Sequence, residues 1–203
     1  ARPTLGPEHA CLVVTGIGFD AALIAVTSPA LKARIKWGAY ALAALENLRT
    51  PRMELSLDLV GTPDDDGPPD APRAPHPESS DAPRPEHLVA RCLLIANGGR
   101  LPAGIVLIPG ARMDDGLLDV AAIDTVAGLA GWTSLARQVL PPFAATYSNP
   151  SRALGRVRLR RGTAVTVHLT EPALAQVDGE LLAPTRALRA RLDAGAILMR
   201  RPA

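Results

Sequence analysis

The sequence predicts a mainly β domain of the α+β class, an antiparallel β-sandwich with one or two helices packed against it. Three observations carry that expectation. Short segments alternate apolar and polar residues, as Val165, Val167 and Leu169 do against Thr166 and His168. Turn dipeptides such as Asp115-Gly116 and Asp178-Gly179 separate them. Regular strand-helix-strand alternation is missing, which argues against a parallel sheet. With 203 residues, 47% of them hydrophobic, the chain is long enough for one core, and residues 1–203 are expected to form a single domain.

The expected strands run from Cys11 to Thr15, Met53 to Val60, Leu88 to Ala96, Gly104 to Ile108, Leu117 to Ile123, Val157 to Leu159, Ala164 to Leu169, Ala173 to Val177, Ala187 to Leu192 and Ala196 to Met199. A helix is expected after Ser28, which caps it, with Pro29 in its first turn and Leu31, Ile35, Leu42 and Leu45 on one face; Pro51 stops it. A second helix is expected from Val126 to Leu140, ended by Pro141-Pro142. Between Gly61 and His87 the chain is dense in Pro, Asp and Ser and has no apolar periodicity. It cannot bury enough surface to offset its ordering entropy, so an acidic, disordered insertion is expected at 61–87. Its acids outnumber its bases by five, so the remainder is more basic than the formal charge of +2 implies.

Composition removes several function classes. Aromatic residues make up 3% of the chain, which leaves few stacking platforms and argues against a nucleic-acid partner. Cys11 and Cys92 have no zinc-ligand spacing and read as buried thiols of a reducing compartment. No stretch reaches the roughly 18 apolar residues of a membrane span, and Ala1-Arg2-Pro3 does not begin a signal peptide; a cytoplasmic protein is expected. Arg156, Arg158, Arg160, Arg161, Arg186, Arg189, Arg191, Arg200 and Arg201 alternate with aliphatic residues. They form either a solvated sheet face or a surface for peripheral contact with an anionic membrane. His9, His76, His87 and His168 are scattered and receive no role.

Three motifs have chemical content: GIGFDA at 16–21, the stretch from Asn97 to Val120 containing PGARMDDGLLDV, and VDGE at 177–180. Each has an ordinary reading as well. Asp115-Gly116 and Asp178-Gly179 suit type I′ hairpin turns, and Gly16, Gly18 and Asp20 suit a bulge with a capped turn. Together, in this order, they resemble the C-terminal domain of the diacylglycerol kinase and sphingosine kinase family of soluble lipid kinases. The resemblance covers nearly the whole chain apart from the acidic insertion.

That resemblance implies a β-sandwich completing a cleft with an N-terminal, NAD-kinase-like, ATP-binding domain. The Gly-Gly-Asp-Gly loop of that domain is absent here, Gly98-Gly99 being followed by Arg100, so the isolated chain is expected to be inactive. The implied reaction is ATP-dependent phosphorylation of a hydroxyl on diacylglycerol or a related lipid, which needs a base, a cation and in-line positioning. The resemblance assigns the base to the pair Glu180 and Asp178, with Glu180 favoured. On a strand the two would share a face, and two close carboxylates would raise one pKa. It also implies Mg2+ at the Asp-Gly-Leu turn, held by the Asp115 carboxylate and the carbonyls of Arg112 and Leu117. Asp114 and Asp119 are then solvent-facing or turn residues. Gly16, Gly18 and Asp20 become candidates for substrate contact.

The expected partners are the lipid substrate, the membrane surface and the ATP-binding domain; the oligomeric state is open, with a homodimer admitted. The competing reading is a non-catalytic lipid-binding or membrane-docking module of the same fold. A sugar or nucleotide kinase related to NAD kinase is a lesser alternative.

Overall fold

The computed structural model describes residues 6–26, 51–61, 85–99, 108, 110–125, 130–131 and 155–197. In chain order these form β1 (Val14–Gly18), α1 (Phe19–Val26), β2 (Met53–Val60), β3 (Glu86–Ala90), β4 (Cys92–Ala96), β5 (Leu118–Thr125), β6 (Gly155–Gly162), β7 (Ala164–Val177) and β8 (Glu180–Arg191). Alternation makes the strands. In β2, Leu55 and Leu57 turn inward while Glu54 and Ser56 face outward.

The described strands join one curled sheet in the order β3-β2-β7-β1-β4-β5-β6, with β8 added on β7, and each pairing among them is antiparallel. β7 organises it. One edge of β7 carries β8; along the other, residues 164–169 pair with β2 and residues 175–177 with β1. The register slips between His168 and Ala175, where Pro172 lies. A proline has no N–H to give the ladder, so it is tolerated at such an irregularity.

Curling brings β3 opposite β5 and β2 opposite β6. Ion pairs fasten the approach: Glu86 of β3 takes the Arg160 guanidinium in a fork, at 3.0 and 2.8 Å, and Arg52, just before β2, does the same to Asp124 of β5. Inside the curl lies the main core, with Ile17, Leu57, Leu93, Val120, Val165 and Val167 at its centre. A second cluster covers the opposite face of the middle strands: Val14, Cys92, Leu94, Ala96 and Ala121 pack with Phe19 of α1 and with Ile108. The strands β1 and β4 are therefore buried on both faces.

Several expectations need correction. Leu88 to Ala96 is two strands, broken at the corner residue Arg91, whose N–H donates to the Ile123 carbonyl and whose carbonyl accepts from Phe19 N–H. The expected strands at 164–169 and 173–177 are one, continuous through the irregularity. The first strand begins at Val14 rather than Cys11, and Cys11 is exposed, because the segment before Val14 runs outside the sheet; Cys92 is buried as expected. α1 was not expected, since eight mostly apolar residues show no helical period. Asp119 is buried and ion-paired rather than solvent-facing. Glu86 and His87 belong to β3, not to the insertion. The helices expected at 28–50 and 126–140, the strand at 104–108 and the insertion fall almost entirely outside the described residues; Ala196 and Ile197 are not in a strand.

The fork at Glu86 is partly exposed, so its contribution is modest. Glu86→Gln is expected to lower the unfolding free energy by about 0.5–1 kcal/mol, read from urea denaturation, with the loss shrinking as salt is added.

Candidate functional site

The Asp-Gly-Glu motif closes the hairpin between β7 and β8. Val177 pairs with Glu180, leaving Asp178 and Gly179 as a two-residue loop with φ of 46° and 91°. Two successive positive values are those of a type I′ turn, whose twist matches the flanking strands. Asp178 and Glu180 therefore do not sit on a strand sharing a face, as the spacing suggested. They flank a turn and have separate surroundings.

Asp178 reaches back to the segment leading into β1. Its Oδ1 accepts the N–H groups of Val13 and Val14, both at 2.9 Å, and its Oδ2 accepts that of Leu12 at 2.6 Å. The Asp178 N–H donates in return to the Val14 carbonyl. Burial works to raise the Asp178 pKa, but the N–H donors of Leu12, Val14 and Val13 outweigh it and hold the carboxyl below its ordinary value. The shift is opposite to that expected of a crowded pair of acids. Glu180, by contrast, is exposed and has no side-chain hydrogen bond or ion pair among the described residues. Asn97 joins this end of the sheet, its N–H donating to the Val13 carbonyl and its side chain to that of Leu12.

GIGFDA makes the bend from β1 into α1. Gly18 turns the chain at φ 82°, and a side chain there would strike the Arg91 carbonyl. At Gly16 the missing Cβ leaves room for the Asp20 carboxyl, which an added carbon would meet at 2.0 Å. Asp20 lies in the first turn of α1, where a negative charge is favoured. Its carboxylate accepts from Gln176 Nε2 at 2.7 Å, and Gln176 Oε1 accepts the Gly179 N–H at 2.7 Å. Burial pushes the Asp20 pKa up, with the Gln176 hydrogen bond opposing it. The two glycines thus admit Asp20, Met53 and the Arg91 backbone, all from this chain.

The Asp-Gly-Leu turn lies elsewhere. Asp119, at its end, is level with Ala96 of β4 and Val14 of β1, and Asp178 bonds Val14. The two turns are therefore at one end of the sheet but three strand spacings apart, about 14 Å. Asp115 Oδ1 accepts the Leu117 N–H at 3.1 Å, while the Arg161 guanidinium binds Asp115 Oδ2 and also Asp119 Oδ1, the latter at 3.0 Å. Burial raises the Asp119 pKa, and Arg161 opposes it. Arg112 is exposed and forked onto Asp114. No cluster of three or more His, Cys, Asp or Glu exists among the described residues, and the buried oxygens lacking a partner there, Asp119 Oδ2 and Thr125 Oγ1, are both outside the expected ligand set of Asp115, Arg112 and Leu117. Here the Arg161 guanidinium occupies Asp115 Oδ2, the one charged ligand of that set, so a cation held there would have to displace it.

Arginines on the strands are also largely engaged. Arg158 and Arg160 face Glu86, Arg186 binds Glu171 and the Thr170 carbonyl, and Arg191 binds Glu8. Among the described residues no helix is long and apolar enough to cross a membrane.

The structure therefore gathers Asp20, Gly16, Gly18, Asp178 and Glu180 around β1 and the β7–β8 turn, and leaves Asp115, Arg112 and Leu117 apart. Sequence reasoning missed Gln176, which is 1% exposed. Its signal was a polar residue at an inward position of an otherwise apolar strand end, since a buried amide needs partners.

Residues 11–198 match the family described as the YegS C-terminal NAD kinase beta sandwich-like domain. Among solved structures, a protein provisionally described as a diacylglycerol kinase from Bacillus anthracis str. Sterne is similar at a TM-score of 0.53 and 15% identity, over 90% of this chain and 50% of that one. Another chain from the same organism, described in the same way, is similar at 0.50 and 16%, with the same coverage. At these identities the likeness concerns the fold. The chain spans about half the length of the solved chains it matches. No curated protein matches it.

Three outcomes are expected. A depressed carboxyl stabilises the fold above its unfolded pKa, and that contribution disappears as pH falls through the folded one. Asp178→Ala should cost about 1 kcal/mol at pH 7, allowing for solvent at an exposed turn, and the gap to wild type should narrow as pH falls below about 4 in urea titrations, leaving the cost of alanine at a left-handed position. At the other turn, EDTA and Mg2+ should leave the melting temperature of the domain unchanged. Arg161→Gln should lower stability by about 1–2 kcal/mol, because Asp119 loses its counter-charge.

Proposed function

We propose a kinase role from one premise: the chain belongs to the family of YegS C-terminal NAD kinase beta sandwich-like domains. In this reading it is the substrate-side half of an ATP-dependent kinase that phosphorylates a hydroxyl of diacylglycerol or a related lipid. The observation that carries the reading is the contrast within the Asp-Gly-Glu turn. Asp178 is consumed by backbone N–H groups, whereas Glu180 projects into solvent from the same turn with its carboxylate unengaged among the described residues. One acid builds the turn and the other is presented by it.

Phosphoryl transfer asks little covalent chemistry of the protein. Glu180 accepts the proton of the lipid hydroxyl as its oxygen attacks the γ-phosphorus of ATP; the bond from that phosphorus to the bridging oxygen breaks, and ADP leaves. ATP is held by a nucleotide-binding half, and any Mg2+ arrives with it as part of the substrate. No step passes through the Asp115 turn. Support for a lipid acceptor comes from the aliphatic composition and from the descriptions of the structural relatives as diacylglycerol kinases. Peripheral contact with an anionic membrane surface belongs to the same proposal. Of the arginines that would serve it, Arg156 and Arg189 have no ion pair among the described residues.

The test is transfer of labelled phosphate from ATP to a mixed lipid extract by this domain joined to a nucleotide-binding half. Glu180→Gln is expected to lower kcat by about 10²–10⁴ while lipid binding persists. A folded wild-type protein that labels no lipid, yet binds it, would replace the kinase with a lipid-binding module of the same fold.

A further inference from the structure

We infer that Gln176 is a positioning residue of this site: its side-chain amide ties the Asp20 carboxylate to the Gly179 N–H and so sets the direction in which the turn presents Glu180. The inference rests on the reading of Glu180 as the base. Three facts lead to it. Gln176 is one of the few fully buried polar side chains, and both ends of its amide are engaged, Nε2 with Asp20 Oδ2 and Oε1 with Gly179 N–H, each at 2.7 Å. A carboxylate can only accept and a backbone N–H can only donate, so the linking group must donate at one end and accept at the other. Glutamine does both, whereas Glu would set two acids against each other and Met would offer neither.

The second fact is where the link ends. Gly179 lies between Asp178, which is tied to Leu12, Val13 and Val14, and Glu180, whose side chain is untied. Holding the Gly179 peptide plane removes the remaining freedom of a turn whose other residue is already fixed. The third fact is how the link begins. Asp20 is itself immobilised, lodged in the space left by Gly16 and carried by the first turn of α1. A chain of rigid groups thus runs from α1 through Gln176 to the turn. GIGFDA and Asp-Gly-Glu, far apart in sequence, act as one unit. Neither Asp20 nor Gln176 needs to touch the substrate.

The experiment uses the domain joined to its nucleotide-binding half, with ATP and diacylglycerol in mixed micelles. Gln176→Met is expected to reduce kcat roughly tenfold or more, while KM for both substrates stays within about twofold, because misplacing a base costs rate rather than affinity. Asp20→Leu should do the same. Asp20→Asn should restore near wild-type kcat, since its carbonyl still accepts from Gln176. The Asp20→Leu/Gln176→Met double variant should be no worse than Gln176→Met alone.

Unchanged kcat in Gln176→Met, additive losses in the double variant, or an Asp20→Asn loss equal to that of Asp20→Leu would each overturn the inference, the last by showing that the charge of Asp20 acts directly. If Gln176→Met does not fold, the Asp20 pair decides. If the wild type phosphorylates no lipid, the functional reading fails by itself. Amide exchange at Gly179 then tests the link: faster in Asp20→Leu but not in Asp20→Asn supports it, and equal rates overturn it.

Discussion

Three backbone N–H groups converge on the Asp178 carboxylate, and the geometry of the site descends from that convergence. A non-glycine residue in the left-handed region is disfavoured, though aspartate tolerates it better than most. Here charge-assisted hydrogen bonds offset the cost and gain the chain two things at once. The segment before β1 is held beside the turn, and the turn is held in the shape that its own N–H, bonded to Val14, completes. Without the carboxylate, the Leu12–Val14 amides would look to solvent and the entry to β1 would be free to peel away. A residue that resembles half of a catalytic pair is thus the fastening between the first strand and the last hairpin.

The rigidity behind the turn comes from the sheet. β1 and β4 are covered on one face by the curled sheet and on the other by Phe19, Ile108 and their neighbours. A strand packed on both sides has few alternative registers, since a slip of one residue would exchange two different buried surfaces. The ion pairs of Glu86 and Arg52 act at the seam of the curl, fixing how far β3 folds toward β5 and β6. Arginine serves this purpose well, because its planar fork matches a carboxylate. The abundance of arginine on β6 is accordingly tied more to internal fastening than to a bare basic face.

Much of this was legible in advance, and the exceptions have physical causes. β2 was readable to the residue because Met53–Val60 alternates cleanly between a wet and a dry face. The Asp178-Gly179 turn was readable because few dipeptides tolerate two positive φ values. The corner at Arg91 was not, since the apolar run on either side of it is continuous and only the change of pairing partners divides it. The ion-paired state of Asp119 was hidden for a related reason. Its partner Arg161 stands 42 residues away and meets it only through the β5–β6 pairing. Residue types marked the chemistry of the site, whereas the pairing of groups distant in sequence decided which acid is bound and which is presented.

The grip of Asp178 on Leu12 joins positions 166 residues apart. Contacts of such separation dominate the slow part of folding, because a long loop must close before they return any free energy. On a ribosome adding roughly 5–20 residues per second, about ten to thirty seconds pass between synthesis of β1 and of the turn that fastens it. Throughout that interval β1 has one edge available to β4 but no β7 on the other. The nascent domain therefore carries an open strand edge until β7 is made, and the turn that presents Glu180 is fastened only when β7 closes that edge.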